Sequence, residues 1–166
     1  PRGGGAVLFQ SASGTLKFLS TGDFNARPAD TGFGMAAGTS PSVASRIGFN
    51  GWLAAFQANT GNLFTAAWYG TPSVTGVDTG LGMMHGTSPS IIYLKDGTPL
   101  IAFQANVGRL FVTKGLPHQA ADTGFLMDQV SSPCLVQLRD GTPLIAFQAP
   151  NGNLMTTQGN FTAAVD

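Results

Sequence analysis

The chain has 166 residues, with eight basic and eight acidic side chains and a formal net charge of zero. Charged residues make up 10% of it and hydrophobic residues 43%, against about 25% charged in an average soluble domain, which excludes a disordered polyelectrolyte. With no basic stretch a nucleic-acid partner is disfavoured, with no apolar run near 18 residues so is a membrane helix, and Gly and Pro interrupt any long helical pattern.

The opening segment, Pro1-Arg2-Gly3-Gly4-Gly5, has neither an initiating Met nor a charged-then-apolar signal pattern, as expected of a processed or excised piece. Next comes Ala6-Val7-Leu8-Phe9-Gln10, then Gly14-x-Leu16, Asp30-Thr31-Gly32-x-x-Met35 and Ser40-Pro41-Ser42. The same order returns with Phe56-Gln57, Gly61-x-Leu63, Asp78 to Met83 and Ser88-Pro89-Ser90. It returns again with Phe103-Gln104, Gly108-x-Leu110, Asp122 to Met127 and Ser132-Pro133-Cys134. Phe147-Gln148 and Gly152-x-Leu154 begin a fourth round, and the four Phe residues lie 47, 47 and 44 apart. So many matched stations at one period establish an internal repeat.

Within a period the local signals are strands and turns. Pro89 to Leu94 is β-branched and aromatic, Lys95-Asp96-Gly97-Thr98 supplies a hairpin turn, and Pro99 to Ala105 is a second strand. Asn50-Gly51 and Asp140-Gly141 occupy the same turn. Asn59-Thr60-Gly61-Asn62 turns the Phe-Gln strand into a third around Leu63 to Trp68, and a looser fourth leads into Asp78-Thr79-Gly80. The unit is thus a four-stranded antiparallel meander, an all-β module.

In the Phe-Gln strands both alternating faces are apolar or small, the mark of a strand covered on both sides. Such sheets stack radially in a β-propeller, whose blades run to about 40–50 residues. The threefold alternatives, a β-trefoil or β-prism, have similar periods, but the fourth Phe-Gln unit does not fit them. The chain reads as one repeat domain, 1–166, with approximate blades 1–38, 39–86, 87–130 and 131–166, the first and last incomplete. Three to four blades are too few for a usual closed ring. The expectation is a piece of a longer propeller or a homo-oligomer that completes the ring by association.

The Ala-Phe-Gln-Ala-Asn-Thr-Gly-Asn-Leu and Asp-Thr-Gly-Leu-Gly-Met units resemble tandem repeats of secreted bacterial proteins that carry hydrolase or lectin-like modules. In period and blade layout they also resemble propeller lectins of the tachylectin and fungal fucose-lectin type. That resemblance implies several weak sites for glycans or cell-surface carbohydrate, in a secreted protein. The alternative is a protein-interaction or targeting propeller appended to a secreted hydrolase.

Residues that break the repeat are candidates for recognition, because repeat-invariant ones serve the shared scaffold. Trp52, Trp68 and Tyr69 belong to one repeat, and an exposed indole beside amides and carboxylates is a common grip on sugars. Asn59, Asn62 and Asp78 complete this ligand-binding set. Asp30, Asp78 and Asp122 also suit Asx turns. Gln10, Gln57, Gln104 and Gln148 are expected to tie strands or blades together, and Met35, Met83 and Met127 to fill the core. Nothing points to catalysis: His85 and His118 are not equivalent, no nucleophile motif occurs, and no metal or cofactor is expected. The single Cys134 has no disulfide partner within the chain.

Overall fold

A computed structural model of the chain describes residues 5–20, 27–46, 51–70, 73–115, 119–159, 161 and 164–165. Pro1 to Gly4, Asn50, His118 and Asp166, which the sequence reading touched, lie outside them. The described residues form four antiparallel meanders. The first holds β1 (Ala6–Gln10), β2 (Thr15–Ser20) and β3 (Ala29–Gly34). The second holds β4 (Ser42–Ala44), β5 (Trp52–Gln57), β6 (Asn62–Trp68) and β7 (Thr75–Gly82). The third is β8 (Ser90–Tyr93), β9 (Pro99–Gln104), β10 (Arg109–Lys114) and β11 (Ala121–Leu126). The fourth is β12 (Cys134–Gln137), β13 (Pro143–Gln148), β14 (Leu154–Gln158) and β15 (Ala164–Val165).

The Asp-Thr-Gly unit differs from its expected place. It lies inside the outer strand and does not follow it. Asn62 pairs with Gly82 and Phe64 with Asp78, so two extra residues bulge from β7, and β3 and β11 slip identically. The residues explain the bulge. Asp78 Oδ1 accepts the N–H of Gly80 at 2.9 Å, Gly80 takes φ +70°, and the Thr79 hydroxyl donates to the Leu63 carbonyl at 2.6 Å.

The core lies between the sheets. Leu53, Ala55 and Leu63 of the second sheet meet Ile91, Ile101 and Phe103 of the third. Leu100, Ala102 and Leu110 then meet Leu135, Ile145 and Phe147 of the fourth. Met83 and Met127 are buried in these two seams, and Met35 with Leu16 and Phe56 in the seam between the first and second sheets, all as core fill. Gln57 is fully buried and donates to the Met84 carbonyl at 2.9 Å, and Gln104 donates to the Asp128 carbonyl at 3.0 Å, so each amide holds the segment leading to the next sheet. Gln148 departs from this pattern: it is exposed and reaches only its own Gly152 carbonyl, at 3.4 Å. Among the described residues nothing covers the outward face of the fourth sheet, where Leu154 is 68% exposed and its repeat equivalent Leu110 is 0%.

The Ser-Pro stations join the opening strands of neighbouring sheets. The backbone N–H of Ile91 donates to Ser42 Oγ at 3.1 Å and that of Leu135 to Ser90 Oγ at 3.0 Å. A hydroxyl recurs there because the incoming N–H of the neighbouring opening strand needs an acceptor.

Candidate functional site

Each sheet has two ends. The hairpin end carries the turns between the first two strands of the third and fourth sheets, 94–98 and 138–142, and in the second sheet the start of β5 and the end of β6. The linker end carries the Asn59-type turns and the segments that pass to the next sheet. A six-residue strand separates the ends by roughly 20 Å.

This geometry divides the six sequence-selected residues. Asn59, Asn62 and Asp78 lie at the linker end, where Asn62 Nδ2 donates to Asp78 Oδ1 at 3.0 Å and Asp78 caps its bulge. The N–H of Asn59 donates to the Gly34 carbonyl at 3.2 Å, and its carboxamide packs against Gly34. These three residues hold scaffold contacts. At the hairpin end Trp52 pairs across the sheet with Trp68. Trp52 is 4% exposed and lies 5.4 Å from Phe18 between ring centroids, with Phe18 to Trp68 at 6.3 Å. Trp52 therefore fills the seam between the first and second sheets, and its ring has no exposed face for stacking. Tyr69 is 46% exposed at the same end.

The hairpin end also holds groups that the sequence reading passed over. Tyr93 of the third sheet sits within the influence of Tyr69 and of Arg46 from the second. Burial raises its phenol pKa, Tyr69 adds to the rise, and the Arg46 guanidinium opposes it. Arg46 lies over Gly97 of the next hairpin, and one seam further on Lys95 lies over Gly141. These glycines take φ +80° and +98°, and their turns are closed by Asp96 and Asp140, which accept the N–H groups of Thr98 and Thr142 at 2.8 Å. Those hydrogen bonds hold both carboxyls below the usual range, aided by Lys114 near Asp96 and Lys95 near Asp140.

Between the third and fourth sheets this end opens into a cleft of about 360 Å³. Leu100, Pro143 and Phe161 form apolar walls, and Lys95, Lys114 and Gln137 supply polar groups. A second hollow of about 540 Å³ shares Leu100, Lys114 and Phe161 and extends past Gln119. Both volumes fall in the range of about 300–1,000 Å³ typical of small-molecule sites, and the mixture of apolar wall and few polar groups is their usual chemistry. Lys95 is positioned by donating to the Arg139 carbonyl at 2.9 Å. A signal for this cleft was present: Lys114 stands where the second repeat has Ala67, and Gln137 where the third has Tyr93, so both break the repeat as Tyr69 does. Among the described residues no group of three His, Cys, Asp or Glu side chains is placed to hold a metal ion.

No family model and no curated relative matches the sequence. Solved structures do match. The SapL1 lectin in complex with α-methyl fucoside is 13% identical with a TM-score of 0.71, over 98% of this chain and 57% of that one. The six-bladed β-propeller lectin of the fungus Aleuria aurantia, described with a novel fucose recognition mode, is 10% identical with a TM-score of 0.67, over 97% of this chain and 55% of that one. A fucose lectin from Kordia zhangzhouensis in complex with methyl-fucoside is 8% identical with a TM-score of 0.54, over 75% of this chain and 96% of that one. The fold is therefore a β-propeller, and the four sheets are blades of a partial ring. The chain spans just over half the length of the SapL1 and Aleuria lectins.

Proposed function

We propose that the chain is a non-catalytic carbohydrate-binding propeller module of a secreted protein, taking a sugar in the cleft between its third and fourth blades. The observation that carries this reading is the cleft itself, in which two adjacent blades offer apolar wall to a pyranose face and amide and ammonium groups to its hydroxyls. The fold it shares with fucose-binding lectins supports the ligand class. Repeated seams supply further weak sites, and joining several chains into a ring would add valency.

A glycan array probed with the full chain, followed by titration with methyl α-fucoside and other methyl glycosides watched by saturation-transfer NMR, tests the reading. We expect dissociation constants on the order of millimolar per site and loss of the signal in Gln137→Ala. An array without a single binder would overturn the proposal.

A further inference from the structure

Although the chain is neutral overall, its charges are sorted between the two ends. Among the described residues the hairpin end carries five cations, Arg27, Arg46, Lys95, Lys114 and Arg139, against the carboxylates of Asp96 and Asp140. The linker end carries Lys17 and Arg109 against Asp30, Asp78, Asp122 and Asp128.

The state of those charges differs as well. Both linker-end cations are neutralised by contact, Lys17 with Asp30 at 3.7 Å and Arg109 with Asp122 at 3.0 Å. Among the described residues no hairpin-end cation makes an ion pair of that kind. Lys95 donates to a neutral carbonyl, Arg139 O, and the nearby carboxylates turn an oxygen to their own backbone, Asp96 to Thr98 and Asp140 to Thr142. Two of the unpaired ammonium groups, those of Lys95 and Lys114, line the cleft between the third and fourth blades, with Asp96 the one carboxylate on its wall. A hollow bounded by low-dielectric wall concentrates the field of such charges on whatever enters it.

We infer that this cleft selects an acidic saccharide, one bearing a carboxylate or sulfate. The inference rests on the carbohydrate-binding reading and names the substrate class of that site. Lys114 and Lys95 would hold the anionic group, while Pro143 faces the ring and the Gln137 carboxamide, whose nitrogen donates to the Gly141 carbonyl at 3.0 Å, offers its oxygen to a hydroxyl. Because both lysines are exposed at the cleft mouth, the attraction is screened by salt.

The test compares matched pairs that differ only in charge, methyl β-glucuronide against methyl β-glucoside and sulfated against unsulfated galactosides, titrated into the full chain at about 50 and about 500 mM salt. Expected is roughly tenfold tighter binding of the acidic partner at low salt, shrinking toward parity at high salt. Lys114→Gln should bring the ratio of acidic to neutral affinity close to one, whatever it does to neutral binding itself, whereas Lys17→Gln at the linker end should leave the preference intact. Melting curves of both variants confirm that the fold is kept. Equal affinity for acidic and neutral partners overturns the inference while the carbohydrate reading stands. A preference that survives Lys114→Gln and Lys95→Gln together also overturns it. No binding of any saccharide, charged or neutral, overturns the underlying reading and the inference with it.

Discussion

The carboxamide of Asn106 lies against the α-carbon of Gly82, so close that a β-carbon on Gly82 would come within 2.6 Å of Nδ2. The N–H of Asn106 also donates to the Gly82 carbonyl at 3.1 Å. Asn59 and Gly34 make the same pair one seam earlier. At the third seam the equivalent residues are Leu126 and Pro150: a large side chain replaces the glycine, and its partner has neither carboxamide nor N–H. The small residue and the amide therefore form one device, present together or absent together. Gly82→Ala should cost about 1 kcal/mol through overpacking. In an Asn106→Ala background most of that cost should vanish, because the clashing group is gone. Chemical denaturation of the four proteins in the cycle measures the coupling, and strictly additive costs would show that the two residues act separately.

Leu110 and Leu154 occupy one station of the repeat in opposite environments, 0% and 68% exposed. Leu110→Ala opens a cavity in the third-to-fourth seam and should lower stability by about 2–5 kcal/mol. Leu154→Ala removes a side chain that meets solvent, and its effect should stay below about 0.5 kcal/mol. A loss at Leu154 comparable to that at Leu110, growing with protein concentration, would mean that the open face of the fourth blade is covered in solution.

The same comparison shows what the sequence makes legible. The sheets follow from stations that recur, because Gly80, Thr79 and Asp78 meet a backbone demand that returns in each of the first three blades. The candidate site follows from positions that depart from the repeat, and departure has two physical causes. Trp52 departs because Ala54 and Ala66 leave room where the third blade has Ile101 and Thr113, and Phe18 lies opposite to receive the indole. Tyr69, Lys114 and Gln137 depart at the surface. Periodicity cannot separate these cases, since the difference is whether a neighbouring blade covers the position. Nor does a linear sequence reveal that Asn59 and Tyr69 face opposite ends of one sheet.

Val130 holds φ +59°, a left-handed conformation that crowds a β-branched side chain. Its equivalents in the other seams are Gly38 and Gly86, at φ +75° and +80°. The N–H of Gly86 donates to Gln57 Oε1 at 3.0 Å, whereas Gln104 Oε1 is buried without a partner in the seam that Val130 serves. Val130 is 72% exposed, so its side chain contributes little packing. Val130→Gly should raise stability by about 0.5–1 kcal/mol, the relief of strain outweighing the added freedom of the unfolded chain. Val130→Ala, which keeps a β-carbon, should gain less. Thermal melts rank the three proteins, and a Gly variant below the parent would show that the turn is not strained.

Asp30, Asp96, Asp122 and Asp140 share one arrangement, in which a carboxylate oxygen accepts a backbone N–H two residues on, and this hydrogen bond is the chief cause that holds each pKa below the usual range. A carboxyl whose pKa is depressed by folding contributes stability that is present above its unfolded value, about 3.9, and lost as pH falls through the lower folded value. Stability from these groups should thus be level from about pH 5 to 8 and decline below about pH 4. Asp122→Asn isolates one of them. The amide oxygen can still accept the Gly124 N–H, but the charge that draws Arg109 to 3.0 Å is gone. At neutral pH the variant should be slightly less stable than the parent, and the gap should close as pH falls and the parent's Asp122 takes up its proton. Urea midpoints measured from pH 7 to pH 2 follow the gap directly. A gap that widened toward low pH would mean that Asp122 favours its protonated form in the folded chain, contrary to the geometry of its turn.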